Sequence, residues 1–140
     1  MRVGDALSVL TGESGVSSYR SARFVVPLGP LRLVFPNPGK LPLHDLHHVA
    51  LGVPMTFWGE VEVSVFEIRS GVPSALIALL CVSAIALGSL LAPCRVRAWW
   101  RQYRGCKNAY AEAARYHWLL DLSVNDLRHE LLLDDAPDRR

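Results

Sequence analysis

The residues best suited to chemistry in this 140-residue chain are histidines and acidic residues that lie close together in sequence. The segment from His44 to His48 reads HDLHH, and Glu60 follows twelve residues after His48. On a helix, His44 and His48 project from one face, an arrangement by which paired imidazoles chelate one ion. His47 would lie about 100° away from His48, so we expect a structural or interfacial role for it.

Asp45 and Glu60 add carboxylates to this cluster. Asp45 precedes His48 by three residues, so its carboxylate would either bind the same ion or orient an imidazole from behind. A break between Gly52 and Pro54 would let the chain reverse and return Glu60 to the histidines. Two imidazoles and one or two carboxylates suit a divalent ion, with zinc first and iron or manganese next. Surface histidines beside an acidic residue would explain the same pattern nearly as well.

The residues around this cluster resemble a known family. The pattern H-D-x-x-H, eleven intervening residues and then E occurs here as HDLHHVALGVPMTFWGE. It resembles the zinc-ligand motif of the ubiquinone-biosynthesis family called coenzyme Q biosynthesis protein four. A Leu-Gly-x-Pro turn, Phe66 followed by Glu67, and Gly71-x-Pro73 extend the resemblance over about residues 41–73.

This resemblance implies that Glu60 lies on a helix and that the fold is mainly α. It implies that His44, Asp45, His48 and Glu60 are the metal ligands. Members of the family are metal-binding, membrane-associated proteins that handle long-chain polyprenyl precursors. They are linked to removal or replacement of the ring carboxyl group in quinone synthesis, and to scaffolding of the pathway's enzymes.

A rival motif also fits the histidines. HDLHH matches the H-x-x-H-H box of membrane fatty-acid hydroxylases and desaturases, whose di-iron sites need about eight histidines from several boxes. The chain has five histidines, and His117 and His129 stand apart from the others. A monomer cannot fill such a site, so this is the weakest of the three interpretations.

Length and composition predict one small domain. Fifteen basic and thirteen acidic residues give a net charge of +2, so no basic surface for nucleic acid is expected. Three cysteines without a CxxC pair argue against a disulfide framework or a cysteine zinc site. The N-terminal sequence has no long apolar run, so we expect no signal peptide.

The sequence divides into six segments around the cluster. Dense prolines predict an extended arm or β-hairpin before it, and Ser123 with Asp126 predicts a capping box. The run from Glu60 to Val65 fits a strand and a helix equally well. The predicted segments are a lead-in (1–18), the arm or hairpin (19–40), the metal-site helices (41–69), an apolar helix (70–94), C-terminal helices ending near Leu133 (95–133) and a tail (134–140).

The apolar segment predicts contact with a membrane. Ser70 to Cys94 contains no Asp, Glu, Lys or Arg, and a helix of about 20 residues would span the roughly 30 Å of a bilayer's hydrocarbon core. Basic and aromatic residues follow, as a headgroup interface favours. Ala84, Gly88 and Ala92 form a small-residue face suited to close helix packing. A buried core helix with a basic end is the alternative.

Two predictions of how this helix would be oriented in a membrane conflict, one from its flanking charges and one from the family resemblance. Five basic residues follow it and only Arg69 precedes it closely, so a single span would leave the C-terminus in the cytoplasm and the metal cluster outside. The resemblance places the cluster on the cytoplasmic side, which we expect to be that of a bacterial inner membrane. We therefore favour a partly inserted helix packed on the metal-site helices.

The sequence thus predicts a mainly α, membrane-associated metal protein of the ubiquinone-biosynthesis type. As an enzyme, it would use the metal to polarise an oxygen of an isoprenoid-tailed aromatic ring, or to activate water. The alternative is a non-catalytic lipid-binding or scaffold protein with a structural metal. Expected partners are an isoprenoid lipid or quinone precursor, a membrane, other quinone-pathway proteins and a second copy of the chain.

Overall fold

Helices form most of the chain that the computed structural model describes, which is residues 1–11, 23–28, 31–36 and 41–133. The mainly α prediction is therefore confirmed. The helices are α1 (Val3–Thr11), α2 (Leu41–Leu51), α3 (Phe57–Ser70), α4 (Ala75–Leu91), α5 (Pro93–Gln102), a 3₁₀ helix (Ala109–Arg115), α6 (Tyr116–Asp121) and α7 (Val124–Glu130).

Two short strands lie between α1 and α2. Strand β1 (Arg23–Leu28) pairs antiparallel with β2 (Leu31–Pro36), with Arg23 opposite Pro36 and Leu28 opposite Leu31. The rest of the predicted lead-in and arm, together with the predicted tail, falls on residues 12–22, 29–30, 37–40 and 134–140, which are outside the described residues.

Helix α2 ends where the sequence predicts. Gly52 has a φ of 65°, a left-handed conformation that glycine adopts without strain. The N–H of Gly52 donates to the carbonyl of Val49, and the N–H of Val53 donates to the carbonyl of His48. These bonds close the last turn of α2, and the chain then turns back towards the side chains of α2.

The run from Glu60 to Val65, whose sequence fits a strand and a helix equally well, is part of helix α3. Thr56 caps it by accepting the N–H of Gly59, and Val61, Val63 and Val65 are all fully buried within it. A helix surrounded by other elements has no polar face, so its sequence lacks the usual amphipathic stripe. The alternation of valines and acidic residues therefore resembled a strand although the segment is a central helix.

The apolar segment over residues 70–94 contains one apolar helix, as predicted, but this helix is shorter than the expected length of about 20 residues. Gly71 ends α3 with a φ of 105°, Ser74 caps α4 by accepting the N–H of Ile77, and Pro93 begins α5. The apolar helix is therefore 17 residues long, or roughly 25 Å at 1.5 Å per residue. Nowhere in the described part of the chain is a helix long and apolar enough to cross a membrane, so the predicted transmembrane helix is corrected.

The two faces of α4 have different environments. Ile77, Cys81 and Gly88 are buried against the rest of the fold, and a Cβ at Gly88 would approach Val61 Cγ1 to 2.6 Å. Because Gly88 has no side chain, α4 packs closely on α3. The opposite face exposes large apolar side chains, namely Leu79, Val82, Leu87, Leu90 and Leu91.

The C-terminal helices close the core over α2. The predicted capping box of α7 is confirmed, because Ser123 Oγ accepts the N–H of Asp126 and Asp126 Oδ2 accepts the N–H of Ser123. Helix α7 ends at Glu130, three residues before the predicted end. Two residues after this end, Leu132 has a positive φ of 56°, a conformation in which a right-handed helix cannot continue.

Candidate metal centre

A glycine and a short loop bring Glu60 to the histidines. Gly59 lies in the first turn of α3, and a Cβ there would fall 1.9 Å from the carbonyl oxygen of Pro54. That oxygen accepts the N–H of Thr56 at 2.8 Å. Only a residue without a side chain lets α3 begin against this loop, and Glu60, the next residue, then faces α2.

His44, His48 and Glu60 form one cluster. Each offers a ligand atom, and these atoms lie within 4.8 Å of one another. Glu60 Oε2 is 3.2 Å from His44 Nε2, and Glu60 Oε1 is 3.2 Å from His48 Nε2. The side chain of His48 is fully buried, whereas those of His44 and Glu60 are 20% and 45% exposed. The cluster is therefore closed on the His48 side and open on the Glu60 side.

The orientation of His48 favours a cation. A carbonyl only accepts, so the 3.2 Å contact of His48 Nδ1 with the carbonyl of Val53 places the ring proton on Nδ1. In the neutral ring, which is the form that binds a metal, Nε2 then carries the lone pair; this atom is buried and has no hydrogen-bond partner. Its separation from Glu60 Oε1 is within ion-pair range but lacks hydrogen-bond geometry. Two electron-rich atoms thus face each other, and a bound divalent ion would satisfy both.

His44 lies between two carboxylates. Its Nδ1 is 2.8 Å from Glu67 Oε1, and its Nε2 is 3.2 Å from Glu60 Oε2. Burial opposes protonation of the ring, but Glu60 and Glu67 outweigh it and raise the pKa of His44 to about 10. Burial likewise favours the neutral acid at Glu60, but the hydrogen bond and charge of His44 outweigh it and lower the pKa of Glu60. Without a metal, a proton on His44 Nε2 therefore occupies the space that an ion would take.

Asp45 lies outside this three-residue cluster. It is buried on α2, and as the neighbour of His44 in sequence it points about 100° around the helix from that ligand. The structure thus brings three of the four predicted ligands together. Two roles of Asp45 stay predictions: it binds the ion itself, or it hydrogen-bonds to an imidazole ligand and orients it.

His47 faces away from the cluster, as its position on the helix predicts. Its Nδ1 donates to Glu67 Oε1 at 2.7 Å, and its Nε2 accepts the backbone N–H of Ala109 at 2.9 Å. Burial lowers the pKa of His47, so the neutral ring makes both bonds. The rings of Phe66 and Tyr110 pack edge-on against it.

Glu67 is the site residue that sequence reasoning missed as a participant. Burial opposes its charge, but hydrogen bonds from His44 and His47 hold its pKa well below the usual range. Burial and the charge of Glu67 raise the pKa of Cys81 and Tyr110, so both of these groups stay protonated and donate to it. Glu67 lies two helical turns after Glu60, and this seven-residue spacing was the available signal.

The site consists of two histidines one turn apart on α2 and a glutamate from α3. The chain is therefore a helical protein with a candidate mononuclear metal site. Four curated relatives carry the name ubiquinone biosynthesis protein COQ4, and these matches confirm the resemblance that the motif predicts. Over the matched region, the chain is a relative of the COQ4 proteins. No family model and no solved structure matches it.

The similarity covers most of this chain but a minority of each relative. The mitochondrial COQ4 protein of Eremothecium gossypii is 34% identical over an alignment of 111 residues, and the match covers 69% of this chain and 31% of that protein. The homologue of Danio rerio is 30% identical over an alignment of 103 residues, and the match covers 68% of this chain and 36% of that protein. The chain therefore spans about a third of the length of the curated relatives it matches.

We expect the purified protein to bind about one divalent ion per chain, with zinc preferred. His48→Ala and Glu60→Ala should each remove most of it, because each deletes one of three donors. Elemental analysis after dialysis measures the stoichiometry, and circular dichroism checks the fold. His117→Ala, which removes an exposed histidine far along the chain, is the matched control and should retain full occupancy. Full occupancy in the two site variants would contradict the assignment.

The metal-free protein should show the ion pair of His44 in its pH dependence. Its pKa is raised from 6.5 to about 10 on folding, so its stabilising contribution is complete below pH 6.5 and is lost as the pH rises towards 10. The difference in free energy of unfolding between wild type and His44→Gln should therefore shrink across this interval. Urea denaturation in chelator at pH 6, 8 and 9.5 measures it. A difference that is constant with pH would contradict the ion pair.

Proposed function

We propose that the protein is a divalent-metal protein of ubiquinone biosynthesis that binds or converts a polyprenyl-tailed aromatic precursor. The proposed reaction is removal or replacement of the carboxyl group on the aromatic ring. The observation that carries this proposal is the buried, unpartnered Nε2 of His48 opposite the carboxylate of Glu60. It occurs within the region of similarity to proteins whose names assign them to ubiquinone biosynthesis.

The donor set fits zinc first, and iron or manganese next. His44 and His48 would bind through Nε2 and Glu60 through its carboxylate, while Asp45 would complete the set or orient an imidazole. A bound ion would polarise a carboxylate or phenolic oxygen of the substrate, or activate water. The fully buried ring of His48 excludes water from one side of the site, so substrate would enter past Glu60.

The number of donors favours catalysis over a purely structural metal. Structural zinc sites are closed by four protein ligands, whereas catalytic sites use three and keep one position for water or substrate. The cluster has three donors and is open beside the half-exposed Glu60. A non-catalytic scaffold or lipid-holding protein is the second candidate, and coordination by Asp45 as a fourth ligand would favour it.

The exposed face of α4 and the charge of α5 support association with a membrane. Five large apolar side chains of α4 are exposed, and no acidic residue occurs between Glu67 and Glu112. Between the two helices runs an open groove of about 390 Å³, lined mostly by apolar side chains together with two arginines. Its lining comprises Ile85, Ser89, Pro93, Val96, Arg97, Trp100 and Arg101.

This combination of exposed leucines, tryptophan and arginine suits the boundary between acyl chains and anionic headgroups. Helix α4 would lie partly inserted in one leaflet, parallel to the surface, and would shelter the polyprenyl tail. In this arrangement both of its flanks, and the metal cluster, lie on the same side. The proposed location is the cytoplasmic face of a bacterial inner membrane, and other quinone-pathway proteins and a second copy of the chain are proposed partners.

A labelled substrate tests the reaction. The zinc-loaded full chain is incubated with a polyprenyl-tailed hydroxybenzoate that carries ¹³C in its ring carboxyl group. Release of labelled CO₂ by wild type, and its loss in His48→Ala and Glu60→Ala, supports the enzyme. Binding of the labelled compound without release favours the holding role. Failure to bind it contradicts both the enzyme and the lipid-holding role.

Vesicle binding tests the membrane face. Flotation with phosphatidylglycerol vesicles should recover the wild-type chain, and the paired substitution Leu87→Ser/Leu90→Ser should lower the bound fraction because it removes apolar anchors. Arg97→Gln/Arg101→Gln should weaken binding about 30-fold, since each of the two basic residues near an anionic surface contributes about 1 kcal/mol.

Leu132→Ser is the matched control, because Leu132 is an exposed leucine outside α4 and α5. It should bind vesicles as wild type does. Equal flotation of all the variants would show that α4 and α5 are not the membrane-binding surface.

A further inference from the structure

A carboxylate lies behind the metal cluster rather than in it. Glu67 is completely buried on α3, and three donors converge on its Oε1. His44 Nδ1 is at 2.8 Å, His47 Nδ1 at 2.7 Å and the hydroxyl of Tyr110 at 2.7 Å. The thiol of Cys81, from α4, donates to Oε2 at 3.3 Å. Four side chains from three other elements therefore meet at this one group.

Such a group is costly to bury, because a carboxylate loses its hydration when it enters the core. Valine or leucine would fill this position of α3 at lower cost, as Val61 and Val65 do on the same helix. The donors that surround Glu67 offset the loss. One of them is His44, whose other ring nitrogen faces Glu60, so the buried charge is linked to the metal cluster by a single imidazole.

We propose that Glu67 is a positioning residue for the metal centre, acting through His44. By accepting the proton of Nδ1, it fixes the ring orientation and leaves Nε2 as the metal-facing atom. A carboxylate behind an imidazole also makes that imidazole a stronger donor to the ion. This inference rests on the proposed metal-binding function, but Glu67 is outside the H-D-x-x-H…E pattern and binds no ion itself.

The remaining donors hold the carboxylate in place. His47 is fixed in turn by the backbone N–H of Ala109 at 2.9 Å, and Tyr110 is the next residue of the same 3₁₀ helix. The orientation of Glu67 is therefore determined from two sides, by α2 and by the 3₁₀ helix. The position of the segment Ala109–Arg115 is coupled to the geometry of the metal ligands through this one side chain.

The test compares metal binding by wild type and Glu67→Gln. Glutamine keeps the shape and one acceptor but loses the charge. We expect zinc affinity, measured by competition with a chelator, to fall about 10- to 100-fold. The visible absorption spectrum of the cobalt-substituted protein should also change, because His44 would coordinate at a different angle and strength. A merely structural role would lower stability without altering that spectrum.

Tyr103→Phe is the matched control. Tyr103 donates its hydroxyl to Glu62, a second buried carboxylate of α3 that is in contact with a tyrosine. Removing that hydroxyl should destabilise the fold while leaving zinc affinity and the cobalt spectrum unchanged. If Glu67→Gln matches wild type in affinity and spectrum, the positioning role is wrong although the metal site stands. If wild type itself binds no zinc, the metal-binding proposal fails and this inference fails with it.

A measurement on the wild type covers the case in which Glu67→Gln does not fold. Histidine ring ¹⁵N shifts of the zinc-loaded protein report which nitrogen carries the proton and which binds the ion. We expect His44, assigned by its absence in His44→Gln, to be protonated at Nδ1 and metal-bound at Nε2. Zinc bound at Nδ1, or an Nδ1 proton that exchanges as freely as in an exposed histidine, would overturn the inference.

Discussion

The contact of the Glu60 carboxylate with the imidazoles of His44 and His48 joins α2 to α3, and the arrangement of the site depends on it. The lone pair of a buried imidazole nitrogen repels a facing carboxylate oxygen unless a proton or a metal ion lies between the two atoms. The fold meets this requirement with a proton on His44 in the absence of metal. A divalent ion would meet it more completely, because His48 Nε2 has no hydrogen-bond partner. The cluster therefore suits reversible exchange of a proton for an ion.

Local sequence signals predicted the parts of the fold that depend on local chemistry. The end of α2 at Gly52 and the capping box of Ser123 follow from backbone conformation and hydrogen bonding within a few residues. Helix α3 is buried on all sides, so its sequence lacks the amphipathic pattern that would have predicted a helix. The absence of charged residues from 70–94 predicted an apolar helix there, but the cap at Ser74 and the start of α5 at Pro93 limit that helix to 17 residues.

The candidate site was predictable to a similar extent. Helical spacing brought His44 and His48 together, whereas the return of Glu60 depended on the motif and the turn. The involvement of Glu67 depends on tertiary contacts with Tyr110, 43 residues later, and no local pattern encodes such a contact. Acidic residues in the middle of a valine-rich helix were the visible sign, since a carboxylate in a core requires partners.

The contact between Gly59 and the carbonyl of Pro54 has a consequence for the length of the connection. Since each helical residue turns the chain by about 100° and advances it by about 1.5 Å, one residue inserted before Glu60 would rotate its carboxylate off the face that meets α2. The loop has no slack to absorb the insertion, because α3 begins directly against it. The number of residues between His48 and Glu60 therefore sets the position of the Glu60 carboxylate, and a change in that number would disrupt the cluster where a substitution of equal length need not.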